Sequence, residues 1–165
     1  MIPLYDLNPH RRFPWVTLLI IVANVAVMAK LATLDSVAST EVVYHYGFIA
    51  KRVNELRTGK PVIVPTMKLD RAGQPQPGPV LQFPSDPAQV YLTFLTAMFL
   101  HGSWLHLGMN MWMLWIFGNN VEDRLGWLMY VCFYLLGGMV GTICQWMVHS
   151  NSVMPMIGAS GAVAA

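Results

Sequence analysis

Residues 14–34 read PWVTLLIIVANVAVMAKLATL, twenty-one positions carrying a single charge, Lys30, near the far end. A membrane-crossing helix needs about 20 predominantly apolar residues, so this stretch is long enough to cross, and a side chain such as Lys30 can carry its ammonium out to the headgroups. A cleaved leader has a shorter apolar region and a cleavage site of small residues. Here the span is full length and lies behind Asn8, Pro9, His10, Arg11 and Arg12, and an uncleaved transmembrane helix is the expectation. Arg11 and Arg12 favour a cytoplasmic N-terminus under the positive-inside rule. Lys51, Arg52, Arg57, Lys60, Lys68 and Arg71 follow in the next connection, which lies near the length at which loop charge stops deciding orientation.

The remainder of the chain agrees with that start. Of its 165 residues, 55% are hydrophobic and 11% charged, against about a quarter charged in an average soluble domain. The formal charge of +2 is spread along the chain, with no basic run and no aromatics interleaved with basic residues, which argues against nucleic acid as a partner. Cys132 and Cys144 fall in one apolar segment, and twelve residues of helix separate them by about 18 Å, beyond disulfide reach. They are expected to be free core thiols.

Outward from the first span, residues 35–90 form a long connection. From Lys60 to Pro87 it is dense in Pro and Gly, a composition that forbids a long helix and reads as a solvated insertion over 60–87. A second apolar stretch over 91–117 is interrupted at His101, Gly102 and Ser103, so the second span is expected over about 103–117, starting near Ser103 or Trp104. Residues 118–126, with Glu122, Asp123 and Arg124, read as a charged turn in water or headgroups, fixed by a Glu122–Arg124 pair. A third span is expected over 127–148, where Gly137, Gly138 and Gly141 mark a close-approach face for another helix. Residues 158–165 open a fourth. The expected fold class is therefore all-α: a polytopic transmembrane helical bundle, one partial domain over 1–165, truncated at the start of its fourth span.

Polar residues placed where lipid would penalise them carry the chemistry. His106 and Asn110 are four apart in the second span and share one helix face, which must turn into the bundle or a wet cavity. Two readings stand side by side: an interhelical hydrogen-bond pair that joins helices, or two neutral donors aimed at an oxyanion. Ser160, flanked by Gly158, Ala159 and Gly161, has no bulky neighbour, and amides near a helix start remain free to donate. It is either part of a small-residue helix interface or a nucleophile, which needs a base to take its proton. His101 and His106 lie five apart with no thiolate or well-placed carboxylate, an incomplete metal set.

The run Phe99-Leu100-His101-Gly102-Ser103-Trp104-Leu105-His106, then Asn110-Met111, Phe117-Gly118, Glu122, Gly126 and Gly158-Ala159-Ser160-Gly161, resembles the rhomboid family of intramembrane serine proteases. The opening Ile2-Pro3-Leu4 to Asn8-Pro9, followed by Pro14 and Asn24, is similar to bacterial members. This resemblance implies a bundle of six or more helices and a Ser-His dyad that hydrolyses peptide bonds in or near transmembrane segments of other membrane proteins, through an acyl-enzyme, with no cofactor and no metal. It makes Ser160 the nucleophile, His106 and Asn110 the oxyanion-binding side chains together with the Ser160 amide, and His101 a structural or water-positioning residue. It also implies a multi-pass protein of a bacterial inner membrane whose partners are the lipid bilayer and transmembrane substrates. The family's base histidine belongs two helices beyond Ala165, and none of His10, His45, His101, His106 or His149 is an evident substitute, so the chain is expected to be part of a longer protease and inactive alone. The alternative is an inactive rhomboid-like protein that binds transmembrane segments. A channel or transporter with a polar pore face would carry further ionisable residues in its spans, whereas the third span offers only Gln145.

Overall fold

The computed structural model describes residues 12–70, 72–84 and 86–165. The opening motif from Ile2 to Pro9, His10, Arg11 and Arg71 lie outside the described residues. Helix α1, Trp15–Ala32, and helix α7, Trp127–Val148, are long and apolar enough to cross a membrane, with mean hydropathies of 2.1 and 1.7. Between them runs a third long helical stretch. It starts as α5, Trp104–Met113, widens into a π turn at Leu114–Gly118, and continues as α6, Asn119–Leu125.

Ser103 sets the start of that stretch. Its Oγ accepts from the His106 amide at 3.1 Å, satisfying one of the amides left without an intrahelical partner at a helix N-terminus. The end lies further on than the sequence reading placed it. Residues 119–125 are helical rather than a charged turn, and the chain reverses only at Gly126, where φ is +78°, a left-handed conformation that glycine adopts without penalty.

Glu122 explains the extension. It is buried, and it does not pair with Arg124, which is exposed. Its carboxylate instead accepts from the Val16 amide at 2.9 Å, the Thr17 amide at 2.8 Å and the Thr17 hydroxyl at 2.8 Å. A charge is tolerated in the interior when it is fully hydrogen-bonded, and the positive end of the α1 dipole favours an anion there. Glu122 thus acts as a cap supplied from a distant helix, joining the start of α1 to the end of α6. The two helices consequently run antiparallel.

The helices meet along periodic seams. Thr17, Asn24 and Leu31 of α1 recur every seven residues, and Tyr130, Tyr134, Gly138 and Thr142 of α7 every four, all buried. The polar members are partly satisfied within their own helices, Asn24 Nδ2 donating to the Ile20 carbonyl at 2.8 Å and Thr142 Oγ1 to that of Gly138 at 2.9 Å. Met98, Leu107, Met111, Leu114, Tyr134, Ala159 and Ala162 form the core between them. Cys132 and Cys144 are free as expected but exposed on α7, outside this core, because they fall off the every-fourth-residue stripe. Gln145 is likewise exposed.

The connection over 35–90 departs from the all-α expectation. It folds as α2, Ser36–Tyr46, α3, Ala50–Glu55, an antiparallel hairpin of β1, Val62–Leu69, with β2, Pro75–Phe83, and α4, Pro87–Thr96. Prolines exclude a helix but not an edge strand, where a missing amide costs no ladder bond. Val62 and Val64 point to one face, pair with Phe83 and Leu81, and pack on Ile49. The Arg52 guanidinium lies 5.0 Å from the Phe83 ring centre, a cation–π contact, and burial pushes its pKa down while the charge of Asp86 partly offsets this.

Candidate active site

Ser160 opens α8, Ser160–Val163, at the end of the segment that returns from α7. That segment is fixed at several points. Phe48 and Met156 exchange backbone hydrogen bonds of 3.1 and 2.7 Å, the Lys51 amide donates to Ser152 O at 3.1 Å, and Asn54 Nδ2 donates to Ser150 O at 2.8 Å. The last anchor is the Gly158 amide, which donates to Ala97 O at 2.9 Å. The short helix that follows rests on α7 through glycines. A β-carbon on Gly141 would stand 2.8 Å from the Gly161 α-carbon, and one on Gly137 would stand 3.5 Å from the α-carbon of Ala162. The close-approach face expected from the third span is therefore occupied by the serine-bearing helix at Gly137 and Gly141, and by the Met98 side chain at Gly138.

Facing this segment are His106 and Asn110 of α5. Gly158 has φ +118°, and a β-carbon there would meet His106 Cε1 at 2.8 Å, Nε2 at 2.9 Å and Asn110 Nδ2 at 3.8 Å. The backbone two residues before Ser160 therefore lies against both polar side chains, which share one helix face as the four-residue spacing requires. Asn110 is buried and spends one amide hydrogen on the His106 carbonyl at 3.0 Å, leaving its second for another acceptor. The first helical hydrogen bond of α8 runs from the Val163 amide to Ala159 O, so the amides of residues 160–162 precede the repeating pattern and have no partner within the helix. Ser160 is exposed, and among the described residues no side chain hydrogen-bonds its hydroxyl. The arrangement offers a hydroxyl, backbone amides outside the helical pattern and two side-chain donors around one short turn.

His101 is 2% exposed and meets the His106 ring nearly edge-on, with centroids 5.1 Å apart and planes at 68°. Burial, and secondarily the neighbouring His106, push its pKa down to about 4, against a small opposing effect from the Phe99 carbonyl. His45 and His149 lie elsewhere. His45 engages Gln89 and His149 engages Gln145, and neither hydrogen-bonds the Ser160 hydroxyl. Among the described residues no three His, Cys, Asp or Glu side chains converge into a metal-binding group. Sequence reasoning missed Glu122 as the clasp and Ala97 as the anchor of Gly158. The signal for Glu122 was a carboxylate within reach of an uncapped helix start; a backbone carbonyl such as that of Ala97 leaves no signal.

Residues 88–165 match the family model described as Rhomboid domain. The match begins in α4 and includes His101, His106, Asn110, Glu122 and Ser160. Among similar proteins, the rhomboid-like protein 11, chloroplastic, of Arabidopsis thaliana is 39% identical over 70 residues, 42% of this chain and 25% of that protein. The presenilin-associated rhomboid-like protein, mitochondrial, of Bos taurus is 33% identical over 85 residues, 49% of this chain and 22% of its own length. The RHOMBOID-like protein 6, mitochondrial, of Arabidopsis thaliana is 38% identical over 69 residues, 42% of this chain and 22% of that protein. The chain thus spans about a quarter or less of these rhomboid-like relatives. They are named as organellar proteins and lend no support to the bacterial type or the bacterial inner membrane expected from the opening motif. No solved structure matches the chain significantly.

Proposed function

We propose that the chain is the serine-bearing part of a rhomboid-family intramembrane endopeptidase that hydrolyses peptide bonds in or near transmembrane segments of membrane proteins. The observation that carries this reading is the seating of Gly158 against His106 Nε2 and Asn110 Nδ2, with Ser160 two residues further on. In the proposed reaction the Ser160 oxygen adds to the scissile carbonyl as a base histidine, supplied by a later helix of the longer protein, takes its proton. The carbonyl oxygen becomes an oxyanion facing His106 Nε2–H, the free Asn110 Nδ2–H and the Ser160 amide. Collapse breaks the C–N bond, the departing amine takes the proton from the base, and an ester to Ser160 remains. Water then adds to that ester, giving up a proton to the base and regenerating the serine. Donors held in place before the reaction stabilise the charge as it develops, usually the largest single contribution to such catalysis.

The test is cleavage of a reporter transmembrane segment by the full-length protein in proteoliposomes. Ser160→Ala is expected to abolish cleavage while leaving the fold intact. Unchanged cleavage would remove Ser160 from the role, and full-length protein that binds the segment without cleaving it would favour the inactive, transmembrane-binding reading.

A further inference from the structure

His106 is enclosed on two sides, by the Gly158 backbone and by the His101 ring. The second contact is unusual in its chemistry. Both ring nitrogens of His101 are buried and neither makes a hydrogen bond of regular geometry among the described residues, the Phe99 carbonyl exerting only a weak pull on the ring, although a buried polar atom is normally paired. The ring is therefore placed where its shape is used more than its polarity. Beyond it lies a cavity of about 420 Å³ between the end of α1, α2 and the start of α5, lined by Met28, Leu31, Ser39, Thr40, Tyr44 and His101 among others. His106 does not line that cavity, and His101 stands between the two.

We infer that His101 is a positioning residue: its ring is an aromatic prop and partition that holds the His106 imidazole against the Gly158 turn and closes off the cavity behind it. The inference rests on the proposed protease reading for its kinetic consequence but not for its geometry. An imidazole free to rotate into the cavity would carry its donor away from the developing oxyanion. Misplacement of a catalytic donor by about 1 Å can cost about a hundredfold. Substrate binding, which does not use this donor in the ground state, would be little altered.

Two variants separate shape from polarity. His101→Ala removes the prop, whereas His101→Phe keeps a flat ring in the same place and dispenses with the ring nitrogens. In full-length protein acting on a reporter transmembrane segment, His101→Ala is expected to lower kcat by about tenfold or more with KM changed by less than about twofold, and His101→Phe to recover kcat to within about threefold. Equal impairment of the two variants would overturn the inference, since the nitrogens would then matter, and so would an unimpaired His101→Ala. The readout independent of catalysis is the His106 Cε1–H NMR signal in histidine-labelled protein, expected to move in His101→Ala and to stay near its wild-type position in His101→Phe. Wild-type protein that neither cleaves nor reacts at Ser160 would defeat the protease reading alone, because the NMR comparison still decides the role of His101. A His106 signal that moves equally in both variants would defeat the prop even in an active enzyme.

Discussion

His106 and Asn110 lie from one turn of α5 against one turn of backbone at Gly158, and in the proposed reaction each donates to the same oxyanion. Removing one such donor typically costs about a hundredfold to a thousandfold in kcat. His106→Ala and Asn110→Ala are each expected to fall by about that factor in reporter cleavage, with the double variant well short of the product because the donors share one acceptor. Losses below about threefold in both would return the pair to a purely structural role. His101 carries a separate prediction. Its pKa is pushed down to about 4, whereas an unfolded histidine titrates near about 6.5. Between those values the unfolded chain binds the additional proton, so the stabilisation linked to neutral His101 is complete above about pH 6.5 and is lost as pH falls towards about 4. Thermal unfolding measured across that window should show a decline that His101→Phe flattens. At this scale the sequence was most legible: the four-residue spacing put His106 and Asn110 on one face, and the small residues around Ser160 marked an open turn. The buried state of His101 was not legible, since nothing local distinguishes a loop histidine in water from one sealed against a neighbouring ring.

At the scale of elements, two contacts between distant helices hold the site together. The Glu122 carboxylate satisfies two amides and one hydroxyl at the start of α1. Glu122→Ala would leave these donors without a partner, at a cost of about 3 kcal/mol, measurable as a lower unfolding midpoint in detergent. Glu122→Gln should recover part of it, because the amide oxygen still accepts. Gly141 is the second contact. With its α-hydrogen facing the Gly161 α-carbon, Gly141→Ala forces α8 off α7, since backbone rather than a flexible side-chain end lies 2.8 Å away. A loss of about 1–3 kcal/mol is expected, together with slower reaction at Ser160; full stability and activity would mean that α8 does not rest on α7. The glycine spacing made this face readable, and Ser103 with the apolar run after it made the start of α5 readable. The end of α6 was not, because a charged Glu-Asp-Arg sequence reads as a solvated turn until its partner, the start of α1 105 residues earlier, is known.

For the whole molecule, topology places the end of α1, the start of α5 and the end of α7 on one side, where α3, α4 and the end of α7 pack around Phe48, Ala50 and Ala97 and the hairpin packs with Tyr44 and Val153 around Ile49. The serine segment is anchored to that cluster through Met156 and Gly158, so the insertion is part of the platform that sets the height of Ser160. Composition and apolar run length were sufficient for the crossing helices. They were insufficient for the hairpin, where Val62, Val64 and Phe83 find Ile49 and where the local signal was the turn in which Asp70 accepts from the Ala72 and Gln74 amides and Gly73 takes φ +77°. The outward surfaces of α1 and α7 carry Leu19, Val22, Leu136, Val140 and both cysteines. In membranes Cys132 and Cys144 are accordingly expected to resist a charged, water-soluble thiol reagent and to react once the protein is unfolded; rapid labelling in the intact bilayer would place a water-filled face where the account places lipid. The proposed role of Ser160 as a nucleophile beside an oxyanion site is tested by treating the full-length protein with a fluorophosphonate and mapping the adduct by mass spectrometry. A single adduct on Ser160 is expected, slowed in His106→Ala and absent in Ser160→Ala; an adduct on another residue, or none in protein that still cleaves its reporter, would rule that role out.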